Sequence, residues 1–245
     1  MTKQQKWFQS WFDTPYYHIL YKQRNNKEAQ QFMKNLVAYL NKSKDQTILD
    51  LACGKGRHSI LLNSLGFDVT GVDLSSQSIM EANKSANQRL RFKIHDMRSP
   101  LDNTYNIVLN LFTSFGYFDS IEDNFKVLDT IKSSLKLNGI GVIDFMNSTR
   151  VLNHLVPQNS IKIDGVHFAI KRQYTNGVIT KTIDVVDGKL SFQFKEKVRA
   201  FTQKDFLRMI SKANLNFVEC FGNYNLEPFS AKTSDRLILI FKKNA

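Results

Sequence analysis

The sequence predicts an α/β fold: a doubly wound, mainly parallel sheet with a C-terminal antiparallel strand and a small antiparallel β insertion. Three observations carry this expectation. Short apolar runs alternate with helical patterns between residues 47 and 145, as in a parallel sheet covered by helices on both faces. Three turn dipeptides, Asp164-Gly165, Asn176-Gly177 and Asp187-Gly188, then follow 11 to 12 residues apart and mark an antiparallel meander of about four strands. The closing stretch returns to one helix and two strands.

Taken in order, residues 1–45 read as a helical cap. Trp7, Phe8, Trp11, Phe12, Tyr16, Tyr17 and Tyr21 crowd its first half, and Phe32, Leu36, Val37 and Leu40 line one face of a second helix. A core of residues 46–147 follows. Its first strand, 47–51, runs into the loop Ala52-Cys53-Gly54-Lys55-Gly56, and a helix at 57–65 stops at Gly66. A strand at 68–73 and a helix at 76–86 come next, then strands at 91–94 and 105–110, a helix at 121–135 and a fifth strand at 140–145. Residues 148–200 form the β insertion. Residues 201–245 complete the core sheet, with Thr202 capping the last helix and strands at 217–224 and 236–242.

Of the 245 residues, 42% are apolar and 23% charged, which excludes a disordered chain. The longest apolar runs, such as Leu237-Ile238-Leu239-Ile240-Phe241, are too short for a transmembrane helix. Met1-Thr2-Lys3-Gln4-Gln5-Lys6 leads into Trp7 without an apolar stretch, against a secretory signal. The expectation is a soluble, cytoplasmic protein, a monomer or homodimer, with no membrane partner. Two cysteines, Cys53 and Cys220, exclude a disulfide framework and a cysteine-built zinc site. No metal is expected.

The net charge of +12 is uneven: residues 1–147 carry 18 basic and 14 acidic side chains, residues 148–245 carry 16 and 8. A basic C-terminal part can attract nucleic acid or an acidic small substrate. The basic residues stand singly or in pairs, as in Lys171-Arg172, which fits a solvated surface better than a nucleic-acid tail.

The chemistry concentrates at the strand ends. A strand followed at once by Gly54 and Gly56 and then a helix brings backbone N–H groups close to a ligand. The loop lacks the third glycine of a dinucleotide site and the Gly-Lys-Ser/Thr ending of a phosphate loop. Asp50, Asp73 and Asp96 fall at three successive strand ends. Asp73 can accept from ribose hydroxyls and Asp96 from an exocyclic adenine amine. Three carboxylates suit a nucleoside with a cationic tail and would repel a pyrophosphate.

Five segments resemble the class I S-adenosylmethionine-dependent methyltransferases: LDLACGKGRHS at 49–59, GVDLS at 71–75, HDMR at 95–98, NLFTSFGYF at 110–118 and LKLNGIGVIDFMN at 135–147. WFDTPYYHILYKQR at 11–24 and EKVRAFTQKDFLRMISKANLNF at 196–217 are similar to a bacterial small-molecule subgroup with a β insertion after strand five. The resemblance implies a Rossmann-like sheet and S-adenosyl-L-methionine as cofactor. It implies that Gly54 and Gly56 approach the methionine moiety, with Asp50 helping to hold its amino group or to organise the loop. Asp73 takes the ribose, Leu74 packs on adenine, Asp96 and Met97 frame its edge, and Asn110 and Leu111 lie beneath the sulfonium. Arg57, Tyr16 and Tyr17 are candidates for the methionine carboxylate on charge and donor grounds. Ala52 stands where glycine is common, which is tolerated if its φ is negative.

Methyl transfer needs alignment and exclusion of water more than side-chain chemistry, and a base only for a protonated acceptor. Tyr17, His18 and Tyr117 are the catalytic candidates. Phe115, Tyr117, Asn147, Arg172 and Arg199 are candidates for the substrate. Cys53 reads as loop filler, and His58 as either packing or ligand contact. The leading expectation is a small-molecule methyltransferase. An RNA or protein methyltransferase using the basic C-terminal part is the alternative, although the adenine-amino signature Asn-Pro-Pro and a catalytic Cys pair are missing. A non-catalytic module that binds the cofactor is the third reading.

Overall fold

Each apolar run from the first half of the chain finds its ladder partner in one central sheet. The computed structural model describes residues 7–22 and 26–244; the reading of 1–6 as carrying no secretory signal, and residues 1–6 and 23–25 of the expected cap, lie outside them. Three helices come first: α1 (Trp7–Phe12), α2 (Pro15–Leu20) and α3 (Asn26–Leu40). The alternating segment comprises β1 (Thr47–Leu51), α4 (Arg57–Ser64), β2 (Asp68–Asp73), α5 (Ser76–Ala82), β3 (Leu90–Ile94), β4 (Tyr105–Asn110), α6 (Ile121–Ser134) and β5 (Leu135–Met146). After α7 (Ser148–Asn153) come β6 (Gln158–Ile163), β7 (Val166–Thr175), β8 (Val178–Asp187) and β9 (Leu190–Arg199), then α8 (Gln203–Lys212), β10 (Leu215–Phe221) and β11 (Arg236–Lys243).

The seven-stranded sheet has the order β10-β11-β5-β4-β1-β2-β3. Strands β5, β4, β1, β2 and β3 run parallel, and β11 is antiparallel to both of its neighbours. The strand order reverses beside β1, so the ends of β1 and β4 open the crevice where ligands of such sheets sit. Apolar side chains fill both faces. Val127, Leu128, Phe145 and Phe206 pack on one; Phe32, Leu36, Ile79 and Leu62 pack on the other.

Strands β6 to β9 form a separate antiparallel sheet. Gly165, Gly177 and Gly188 each hold a positive φ in its turns, as the turn dipeptides require. A third cluster joins this sheet to the N-terminal helices: Trp11 is fully buried against Phe168, Ile170, Ile183 and Val185. The aromatic start of the chain therefore docks on the meander as well as on the core.

Some boundaries moved. The α5 helix ends at Ala82 and continues as a 3-10 turn through Ser85. β5 begins at Leu135 rather than 140, running through Asn138 at φ 59. α7 was not foreseen, and the first closing strand lies at Leu215–Phe221. Thr202 caps α8 as expected, within a capping box completed by Asp205. Among the described residues no helix is long and apolar enough to cross a membrane.

Candidate functional site

The loop leaving β1 is wound left-handed at alternate positions. Ala52, Gly54 and Gly56 have φ of 66°, 56° and 78°. The condition set for Ala52, a negative φ, is therefore not met: the loop holds a non-glycine residue in the left-handed region, at a cost of about 1–2 kcal/mol. The Cys53 N–H donates to the Val72 carbonyl at 2.9 Å, and the Gly56 N–H to the Cys53 carbonyl at 3.0 Å. Gly56 opens α4. A Cβ on Gly54 would meet nothing, whereas one on Gly56 would stand 2.6 Å from the Phe92 ring.

Carboxylates organise this loop. Asp73 accepts from Gly54 N–H at 2.8 Å and from Ser75 N–H at 2.9 Å. Burial raises its pKa, and those backbone bonds oppose the shift. Asp50 is sealed and accepts from the Ser59 hydroxyl at 2.6 Å. Burial pushes its pKa up to about 6. Cys53 is buried and its thiol pKa is driven well up by burial, which makes it an inert filler.

A first chamber of about 310 Å³ opens over the loop. Of the expected site residues, Tyr17, His18, Asp50, Ala52, Gly54, Arg57, Asp73, Leu74, Asp96, Met97, Leu111 and Tyr117 border it. Arg98 pairs with Asp96 and, at 2.8 Å, with Asp123. His58 also borders the chamber. Its Nε2 accepts from Arg57 Nε at 3.0 Å, its ring stacks on Phe112 at 4.5 Å, and burial lowers its pKa to about 3, so it is neutral. The Arg57 guanidinium lies 4.7 Å over the same Phe112 ring.

Other expected residues sit elsewhere, for identifiable reasons. Tyr16 points to the meander: its hydroxyl donates to Asp187 at 3.2 Å and its ring packs on Phe192. Gly56 lies behind the loop as the start of α4. Asn110 is fully buried and ties β4 to β1 through Nδ2 and the Leu51 carbonyl, 3.0 Å apart. Phe115 is core, packed on Phe201 and Phe206. Asn147 braces a closing loop through the Ala231 and Ser234 carbonyls at 3.0 and 2.8 Å. Arg172 binds Asn159 at 2.6 Å in a separate surface groove. Arg199 holds the Phe118 carbonyl at 3.2 Å and the Asp119 carbonyl, so it positions the loop carrying Phe118.

A second chamber of about 400 Å³ shares Phe12, Tyr17, Tyr21, Arg57, Phe112 and Tyr117 with the first. Its remaining wall includes Trp7, Glu28, Thr113, Lys181, Glu196, Tyr224 and Arg236, and the sequence reading had singled out none of Glu28, Thr113, Lys181, Glu196, Tyr224 and Arg236. Two carboxylates, Asp144 buried and Glu196 partly buried, shape it. Asp144, fully buried, accepts from Phe112 N–H at 2.9 Å, Arg236 Nε at 2.7 Å and the Tyr224 hydroxyl at 3.2 Å. It thereby holds two consecutive left-handed residues, Phe112 and Thr113 at φ 56° and 62°. Glu196 accepts from Trp11 Nε1 and the Tyr21 hydroxyl, both at 2.6 Å, and pairs with Lys181 at 2.8 Å. Burial pushes its pKa up, but Lys181 and these donors hold it below the ordinary glutamate range.

His18 borders the first chamber alone. Burial and the Lys55 charge lower its pKa, against the pull of Asp13. Tyr17 and Tyr117 stand at the junction of the chambers.

Residues 42–214 match the family model described as "Methyltransferase domain". A glycine/sarcosine N-methyltransferase of Aphanothece halophytica is 33% identical over 136 residues, 53% of this chain and 50% of that protein. One of Halorhodospira halochloris is 31% identical over 113 residues, 44% of this chain and 42% of that protein. The chain thus spans about half the length of most of the curated relatives it matches. Among solved structures, an S-adenosylmethionine-dependent methyltransferase of Clostridium acetobutylicum has a TM-score of 0.79 at 20% identity, covering 94% of this chain and 96% of that one. An amino pentose methyltransferase of Micromonospora echinaspora has a TM-score of 0.69 at 17% identity, covering 94% and 97%. At these identities the two structures establish a shared fold.

Proposed function

Because the chain belongs to the methyltransferase-domain family, the class I S-adenosylmethionine-dependent enzymes, we propose that it methylates an amine of a small molecule, with the donor in the first chamber and the acceptor in the second. The observation that carries this reading is the pair of chambers with six wall residues in common. A methyl group handed from one chamber to the other passes between those six side chains.

The donor chamber fits this cofactor in its chemistry. The open face of Gly54 leaves room for a ligand against the backbone, and Asp50, Asp73 and Asp96 supply negative charge and acceptors to a cationic nucleoside. Asp73 keeps lone pairs for ribose hydroxyls beyond its two backbone bonds. When bound, S-adenosylmethionine supplies a sulfonium-activated methyl group for in-line displacement. The protein's part is to align and to exclude water, and the aromatic junction of Phe12, Tyr17, Phe112 and Tyr117 suits both tasks. The amine must arrive with its lone pair free. Tyr17 and Tyr117, at the junction, are the groups placed to orient it; His18 stands on the donor side.

The described residues of the N-terminal cap, 7–22 and 26–45, and the β insertion, 148–200, roof the acceptor chamber over a core made of 46–147 and the described residues of 201–245. Tyr17 and Tyr21 come from the first; Lys181, Glu196 and Val198 from the second. Nitrogen as the acceptor atom draws support from the relatives named as glycine/sarcosine N-methyltransferases. The test is formation of S-adenosylhomocysteine with a panel of small amines, followed by mass spectrometry of the methylated product. Turnover on at least one amine is expected. Turnover on RNA with none on any small molecule would overturn the acceptor class; tight donor binding that never yields S-adenosylhomocysteine would overturn the enzyme.

A further inference from the structure

We propose that Arg236 is a specificity residue that holds a carboxylate of the acceptor, so that the substrates are small amines bearing an acidic group. The inference rests on reading the second chamber as the acceptor site.

Arg236 opens β11, and its register against β5 sets it opposite Met146 at the edge of the second chamber. Its side chain is only 19% exposed. A guanidinium carries five N–H donors in one plane. Nε donates to Asp144 at 2.7 Å and Nη2 to the Thr113 hydroxyl at 3.0 Å. Among the described residues Nη1 has no hydrogen-bond partner, and Nη2 has a single one. An arginine present only to neutralise Asp144 would be expected to spend its fork on that carboxylate. Here one edge holds Asp144 and Thr113 and the guanidinium lies 5.5 Å over the Tyr224 ring, which leaves Nη1 and the second Nη2 hydrogen without an acceptor on a residue of the chamber wall. Two parallel N–H groups match the two oxygens of a carboxylate.

The other cations of the chamber are differently committed. Lys181 is taken up by Glu196 and the Tyr21 hydroxyl. Arg57 is fixed by His58 and Phe112 at the junction, where it also faces the donor chamber. Glu28 borders the same chamber and acts on Arg236 through its charge, but it forms no hydrogen bond or ion pair with it among the described residues, so the spare N–H groups have no acceptor there. The Asp144 bonds on Arg236 and Phe112 link this anchor to the left-handed turn at the junction. The anion would thus be held by the same rigid element that walls the path of the methyl group.

The probes are phenylacetate and its neutral isostere phenylacetamide, titrated calorimetrically into the full-length protein with and without S-adenosylhomocysteine. Phenylacetate is expected to bind at least about tenfold more tightly than the amide, on the scale of a charge-assisted, bidentate contact. Arg236→Lys keeps the charge without the fork and should weaken phenylacetate several-fold. Asp144→Asn/Arg236→Gln replaces the buried pair by two amides, which protects folding, and should abolish the preference while leaving S-adenosylhomocysteine binding in place. Equal binding of the two probes, binding of neither, or a preference that survives in the double variant would overturn the proposal. Absence of S-adenosylhomocysteine binding, with the Arg236-dependent preference intact, would instead sink the donor reading alone.

Discussion

Gly54 and Gly56 stand two residues apart in one loop, with similar left-handed φ values of 56° and 78°, yet alanine at each should fail differently. Either substitution places a Cβ in the left-handed region, at about 1–2 kcal/mol. At Gly54 that is the whole structural cost, because the new Cβ has no neighbour within 4 Å. At Gly56 it would lie 2.6 Å from two Phe92 ring atoms and 3.2 Å from the Ala82 Cβ. Phe92 is buried between α4, α5 and the sheet and cannot swing away freely, so overpacking adds roughly 1–3 kcal/mol. The totals are about 1–2 kcal/mol for Gly54→Ala and roughly 2–5 kcal/mol for Gly56→Ala. Ligand binding should order the variants the other way. The space open at Gly54 belongs to the first chamber, the one proposed for the donor, so folded Gly54→Ala should lose about tenfold or more in S-adenosylhomocysteine affinity. Urea denaturation and calorimetry, run on both variants, separate the two effects. Equal destabilisation, or wild-type affinity in Gly54→Ala, would refute the division of the loop into a ligand face and a packing face.

Three further outcomes follow from the carboxylates. Asp73→Ala leaves the Gly54 and Ser75 N–H groups without their acceptor and should cost about 1–3 kcal/mol of stability, with weaker S-adenosylhomocysteine binding by calorimetry; unchanged affinity would remove Asp73 from the ribose. Asp50, with its pKa raised to about 6 by burial, takes up a proton on folding between about pH 4 and 6, so its contribution to stability is lost as pH rises through 6, by roughly 3 kcal/mol. Asp50→Asn should therefore gain stability relative to wild type on going from pH 4.5 to 7, the opposite tilt of neutral His58 cancelling in the comparison, and wild-type donor affinity should fall below pH 6 as Asp50 protonates. Glu196→Ala strands Lys181 and frees Trp11 and Tyr21; a loss of roughly 3–5 kcal/mol is expected, with faster hydrogen exchange in α1, α2 and β9 as the measured signature.

What could be read from the residues divides along the length of the connections. The parallel core, the meander and the loop after β1 were legible because each is specified by neighbours: an apolar run, a turn dipeptide, a glycine pair. The Lys181–Glu196 pair is specified in the same local way, since the tight turn after Asp187 sets the register that places those two residues opposite each other. Arg236 and Asp144 are different. They come together because β11 inserts antiparallel between β5 and β10, and the segment joining β10 to β11 runs from residue 222 to 235, too long for any turn rule to set a register. The aromatic run at 110–118 shows the same limit within a few residues. Its spacing alone does not say which ring faces the cavity, and the left-handed pair Phe112–Thr113, held from afar by Asp144, turns Phe112 to the chambers and leaves Phe115 in the core. Most of the first chamber rests on local pattern, whereas Phe112, which it shares with the second, and Arg236 in the second depend on distant pairings.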